Sequence, residues 1–108
     1  MIYELRVYHC LPGKLPDVLK RFEAHTLRIW ERYGIEYVGF WTTQIGESSQ
    51  DLTYMLKWQS LAEREDKWSR FTRDAEYAEA RKASEANGPL LSSLSNQILV
   101  PTSFSKPI

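Results

Sequence analysis

From Ile35 to Trp58 the chain alternates in hydrophobic character with a period of two. Val38, Phe40 and Thr42 alternate with Tyr37, Trp41 and Thr43. After a polar turn at Gly46–Asp51, Thr53, Met55 and Lys57 alternate with Tyr54, Leu56 and Trp58. Alternation of β-branched and aromatic residues around a Gly/Ser/Asp loop predicts a β-hairpin. Both alternating sets contain bulky side chains, so both sheet faces need cover. The chain's own helices can cover one face, and a second copy of the chain is expected on the other.

Ile2–Cys10 reads as a further strand, with Leu5 and Val7 on the expected core face beside Tyr3 and His9, and with Glu4, Arg6 and Tyr8 on the other. Leu11-Pro12-Gly13 ends it. Leu15–Tyr33 is an amphipathic helix whose stripe is Leu15, Val18, Leu19, Phe22, Ile29, Trp30 and Tyr33, with His25 and Thr26 in the same stripe. Lys20, Arg21, Glu23 and Arg28 mark its solvated face, and Gly34 stands where a C-terminal cap belongs. Ser60 and Glu63 form a capping box ahead of a second helix carrying Trp68 and Phe71. Asp74 is placed to cap a further helical piece, Ala75–Asn87, stopped by Gly88-Pro89. Leu90–Leu94 reads as a short helical turn, Asn96–Val100 as the last strand and Pro101–Ile108 as a tail.

The order strand, helix, strand, strand, helix, strand is the split βαβ of an α+β ferredoxin-like sandwich, with helices on one face of a four-stranded antiparallel sheet. An open face carrying Trp41 and Met55 would be an apolar patch in water. Glu4, Arg6, Tyr8, Trp41, Met55 and Lys57 are therefore the candidate homodimer interface, closing two sheets into a barrel.

Composition narrows the picture. At 108 residues the chain is expected to be one domain. Fourteen basic and fourteen acidic side chains cancel, which leaves no electrostatic footprint for nucleic acid. No apolar run suits a membrane span, and the opening strand pattern leaves no room for a signal peptide. A single cysteine, Cys10, excludes an internal disulfide and fits a reducing, cytoplasmic setting.

Several segments together carry a resemblance. These are Tyr3–Tyr8 (YELRVY) followed by Pro12-Gly13-Lys14, then Tyr33-Gly34-Ile35 leading into Val38-Gly39-Phe40-Trp41, then Ile45-Gly46, and finally Lys57–Arg64 (KWQSLAER). In this order they resemble the NIPSNAP family over essentially the whole chain. The resemblance implies a dimeric α/β barrel of ferredoxin-like fold. The wider superfamily includes haem-degrading and antibiotic-biosynthesis monooxygenases as well as proteins with no known reaction. In related barrels the cleft between helices and sheet holds the ligand.

Candidate chemistry centres on that cleft. His25, His9, Tyr54, Trp58 and Trp68 are its expected lining, suited to a small apolar or aromatic ligand. His9 and Cys10 point to opposite faces of one strand and His25 adds too few ligands, so no metal site is expected. Haem bound through His25 between Trp68, Tyr54 and Trp58 is an alternative, but core packing accounts for those rings, and no cofactor is expected. Cys10 would be a nucleophile only with a lowered pKa. The expected role is a small-molecule-binding or interaction module. The alternative is a cofactor-independent monooxygenase or isomerase-like enzyme. A closed cavity bordered by His25 and Tyr54 or Trp68 would favour the enzyme.

Overall fold

The computed structural model describes residues 1–108. Its elements are β1 (Ile2–Cys10), α1 (Leu15–Arg21), α2 (Leu27–Tyr33), β2 (Glu36–Thr42), β3 (Asp51–Trp58), α3 (Leu61–Thr72), α4 (Ala75–Ser84) and β4 (Leu91–Leu99). The strands pair antiparallel in the order β2-β3-β1-β4. With the helices layered on one face, this is the ferredoxin-like α+β sandwich that the alternation predicts.

The core lies between that face and the helices. β3 sends Leu52, Tyr54, Leu56 and Trp58 inward, all essentially inaccessible to water. Val18, Ile29, Trp30 and Phe71 pack onto them from the helices. Trp30 is the hub, with rings of Phe22, Phe40, Tyr54, Trp68 and Phe71 all within 6.2 Å of its centre. A β-bulge between Tyr37 and Gly39 moves Tyr37 to the inner face, where its ring meets Phe40 at 5.1 Å, rather than beside Trp41.

The facing of β1 is the reverse of the expectation. Glu4, Arg6, Tyr8 and Cys10 are the buried positions, beneath the helices. Leu5 and Val7 pair with Met55 and Thr53 on the opposite, open face. Opposed residues of an antiparallel pair share a face, and Arg6 stands opposite Tyr54 and Glu4 opposite Leu56, so the inward set of β3 carries the charged set of β1 inward with it. Trp41, Met55 and Lys57 do stand on the open face, through pairing with Thr53, Gly39 or Leu5, and Tyr3.

Residues 15–33 are helical throughout, but Phe22–Thr26 forms a π turn in which the Leu27 N–H reaches the Phe22 carbonyl. Such a turn inserts one residue and rotates the helix beyond it. Phe22, Thr26, Ile29 and Trp30 keep the inner face, while His25 is only half-buried. Arg21, expected in solvent, is buried. The second half ends at Gly34, in the left-handed region at φ 69°, with the Ile35 N–H closing on the Trp30 carbonyl at 2.9 Å.

The capping box forms: the Glu63 N–H donates to Ser60 Oγ at 3.1 Å, and Glu63 Oε1 accepts from the Gln59 N–H. Asp74 caps α4 through the Tyr77 N–H at 2.9 Å. That helix stops at Ser84, short of the expected Asn87. Residues 91–94, expected to be helical, belong to β4. Their carbonyls and N–H groups complete the β1 ladder, which a local turn would leave unpaired.

Gly34→Ala places a Cβ in the left-handed region, 3.2 Å from Lys67 Nζ. The expected loss is about 1 to 2 kcal/mol of unfolding free energy in urea titration.

Candidate functional site

Glu4 has no accessible surface. A buried carboxylate must be saturated with donors. Arg64 Nε donates to Oε1 at 2.7 Å and Trp58 Nε1 to the same atom at 3.0 Å. Oε2 accepts from Arg6 Nη1 at 3.0 Å, Arg64 Nη2 at 3.0 Å and Asn96 Nδ2 at 2.9 Å. One carboxylate thereby joins β1, β3, α3 and β4. Burial by itself would raise the carboxyl pKa. The hydrogen bonds from Arg64, Asn96 and Trp58 and the charge of Arg6 outweigh it, and lower it from 4.5 to about 2.

Arg6 continues the network. Its Nε donates to the Tyr54 hydroxyl at 2.7 Å, which in turn donates to the Tyr8 hydroxyl at 3.0 Å. Its guanidinium lies 4.6 Å from the Trp68 ring centre. Burial opposes the Arg6 cation, but its pairing with Tyr54, Tyr8 and Glu4 prevails and pushes its pKa up. Burial also pushes the Tyr54 hydroxyl well above its ordinary range.

Above this floor opens a cavity of about 170 Å³ between α3, α4 and the inner face of β4. Tyr8, Trp68, Phe71, Tyr77, Leu91 and Leu94 give it apolar walls, and Arg6, Arg21, Arg81 and Glu85 bring charge to its edge. The helices cover β1–β3 more fully than β4, whose residues from Ser92 onward are exposed, and this leaves the cleft.

The expected lining residues do not converge. Trp68 borders the cavity. Tyr54 and Trp58 lie beneath it in the packed core, with hydroxyl and indole N–H engaged. His25 borders a different groove, of about 380 Å³, between α1 and α4 outside the helix layer, with Lys14, Lys20 and Arg21. His9 is on the open sheet face, its Nδ1 2.9 Å from Asp51 Oδ1. The two histidines thus stand on opposite sides of the sheet, and a cavity joining His25 to Tyr54 or Trp68 is not formed. Burial and the nearby Asp51 charge push the Cys10 thiol up, away from nucleophile chemistry. No group of three or more His, Cys, Asp or Glu side chains is placed to share an ion.

The NIPSNAP family model matches residues 3–106. The chain belongs to the NIPSNAP family. A NIPSNAP-like domain protein from Burkholderia xenovorans is 25% identical, with 99% of this chain and 90% of that one covered and a TM-score of 0.86. A NIPSNAP family protein from Agrobacterium tumefaciens is 26% identical over 96% of this chain and 95% of its own, with a TM-score of 0.84. A second Agrobacterium NIPSNAP protein, of unknown function, is 26% identical over 97% and 91%, with a TM-score of 0.84. No curated protein matches the chain.

In this NIPSNAP chain several residues of the site go beyond what the sequence pattern indicates: Arg64 and Asn96, which hold Glu4 in the floor, and Arg21, Tyr77 and Arg81, which border the cavity. Arg64 stands one residue past the capping box, which sets it in the first turn of α3, facing β1. Arg21 and Arg81 sit among other charges on helices and carry no distinguishing signal. Tyr77 is flagged only by its position three residues after the Asp74 cap.

Glu4→Gln leaves the buried Arg6 and the half-buried Arg64 short of a counter-charge, and the expected loss at pH 7 is about 3 to 5 kcal/mol. The lowered Glu4 pKa adds a signature in acid. Its stabilisation is complete above the unfolded-state value near 4.5 and disappears as pH falls toward about 2. Urea titrations across that window should show a Glu4-dependent loss of about 3 kcal/mol that is missing from the Gln variant.

Proposed function

We propose that this protein is a homodimeric small-molecule-binding protein whose site is the cleft between α3, α4 and β4. The observation that carries this reading is a cavity with aromatic walls over a hydrogen-bonded, charged floor. Few convergent polar groups within an apolar lining are what a ligand site requires. The volume of about 170 Å³ suits a ligand built on a single ring, since a cavity of about 150 Å³ can hold benzene.

Dimerisation is supported by the open sheet face. Leu5, Val7 and Met55 form its centre and Trp41, 49% exposed, its flank. Tyr3, Met55 and Leu99 border a groove of about 390 Å³ there with the tail residues Val100, Pro101 and Ile108. Burying this apolar face against its copy removes a patch that water disfavours. Glu4, Arg6 and Tyr8 have no part in that interface, because they lie under the helices. A cytoplasmic location belongs to the same reading and is supported by the lone, buried, unpaired Cys10. No helix is long and apolar enough to cross a membrane.

Native mass spectrometry of protein isolated from a rich extract tests both parts. A dimer carrying additional small-molecule mass is the expected result, and a bare monomer would contradict the reading. Met55→Glu introduces an unpaired charge at the centre of the open face and should weaken the dimer by at least roughly tenfold in sedimentation equilibrium, while far-UV circular dichroism stays unchanged.

A further inference from the structure

We propose that the cleft recognises a carboxylate borne on a single planar apolar ring, with the Tyr8 hydroxyl and the Arg6 and Arg21 guanidinium groups as its recognition elements. The inference rests on the cleft being a ligand site, and adds the chemical class of what it takes.

Hydrogen-bond direction leads to this class. A guanidinium can only donate, so the Tyr54 oxygen must accept from Arg6 Nε. The Tyr54 proton is then directed to Tyr8. Tyr8 accepts with its oxygen, and its own proton has no acceptor in the structure. Tyr8 is 6% exposed and lines the cavity. A cation at the head of a donor chain polarises each hydroxyl along it, so the terminal Tyr8 O–H is the strongest donor of the three. Arg6 commits Nε and Nη1 internally, which leaves Nη2 uncommitted. Arg21, 5% exposed, borders the same cavity and has a buried Nε without a partner. Its Nη1 is held by Ser84 at 3.1 Å. Apart from the rim carboxylate of Glu85, which faces Arg21 at 3.7 Å and Arg81 at 3.6 Å, the unfilled capacity around the cavity is donor capacity, and a ligand that fits must bring acceptors.

Charge points the same way. Glu4 is shared by Arg6 and Arg64, and Glu85 by Arg21 and Arg81. Each of these carboxylates serves two arginines, so the floor and rim hold two positive charges in excess. In a partly dry cleft an anion answers both the charge and the donors. The remaining wall is aromatic and aliphatic: Trp68, Phe71, Tyr77, Leu91 and Leu94. Burial pushes the Tyr77 hydroxyl up, so it stays neutral and does not oppose the anion. Carboxylate at the tyrosine end and a ring against Trp68 and Leu94 fills a space of this size.

The test is a titration of the full chain with benzoate, with benzyl alcohol as the neutral ring of similar size, monitored by NMR on the Trp68 indole and the Leu91 and Leu94 methyl groups. The expected result is saturable benzoate shifts at those three residues, with benzyl alcohol at least roughly tenfold weaker. Tyr8→Phe removes one oxygen from an otherwise unchanged wall and should weaken benzoate by roughly tenfold while leaving the fold intact. Arg81→Gln, at the exposed rim, should weaken benzoate by a smaller factor and serves as the variant that keeps the buried network whole. Equal affinity for the two probes, or benzoate shifts confined to the His25 groove, would overturn the carboxylate assignment. If the isolated protein retains a small molecule in the cleft and, once stripped of it, binds neither probe, the assignment fails while the binding reading stands. If it retains none and binds neither probe, both fail.

Discussion

A carboxylate with no path to water organises this molecule. Glu4 is tolerable inside the protein only because five hydrogen bonds from four residues reach it, two of them from Arg64. Those donors come from both layers of the structure: the two strands that flank β1, the helix above and β1 itself. The α3 helix is pinned over β1 by this contact as well as by the packing of Trp68 and Phe71. Losing any one donor would leave a desolvated charge short of a partner. The network therefore specifies the arrangement more strongly than its net stabilisation suggests.

The same constraint creates the candidate site. Arg6, carried under the helices by the β1–β3 register and paired there with Glu4, hands a hydrogen bond to Tyr54 and through it to Tyr8. Trp68 lies over the guanidinium. The cavity sits where this polar floor runs out toward β4, which the helices leave uncovered. Its aromatic walls extend the core cluster centred on Trp30, so the site rests on a packed foundation and not on loops. Rigid support of this kind keeps donors aimed without a ligand present. The opposite face of the sheet is built differently, from Leu5, Val7, Met55 and Trp41, and is suited to association instead of to recognition of a small polar group.

Much of the architecture is legible in the residues. The β3 alternation, the Ser60–Glu63 box, the Asp74 cap and Gly34 each act through local chemistry, and each does in the structure what its residue type predicts. The facing of β1 is not local. Glu4, Arg6 and Tyr8 resemble a wet or interfacial set, and Leu5 and Val7 a core set, until pairing is considered. Tyr54 and Leu56 are unmistakably inward, and the antiparallel register carries Arg6 and Glu4 with them. A partner for Glu4 is supplied by Arg64, sixty residues away, which periodicity cannot reveal. His25 is displaced by a different cause. A π turn inserts one residue into an otherwise regular stripe, and the stripe's spacing contains no mark of it. The cleft residues Arg21 and Arg81 are ordinary helix charges in sequence and become notable only through the cavity they border.

The most direct measurement is a carbon-detected NMR titration of the Glu4 side-chain carboxyl in the folded protein. The account predicts that it stays ionised through the usual carboxylate range, with a midpoint at about 2. A midpoint at or above the ordinary 4.5 would contradict it, because the carboxylate would then lack the donors on which the facing of β1, the seat of α3 and the floor of the cleft depend.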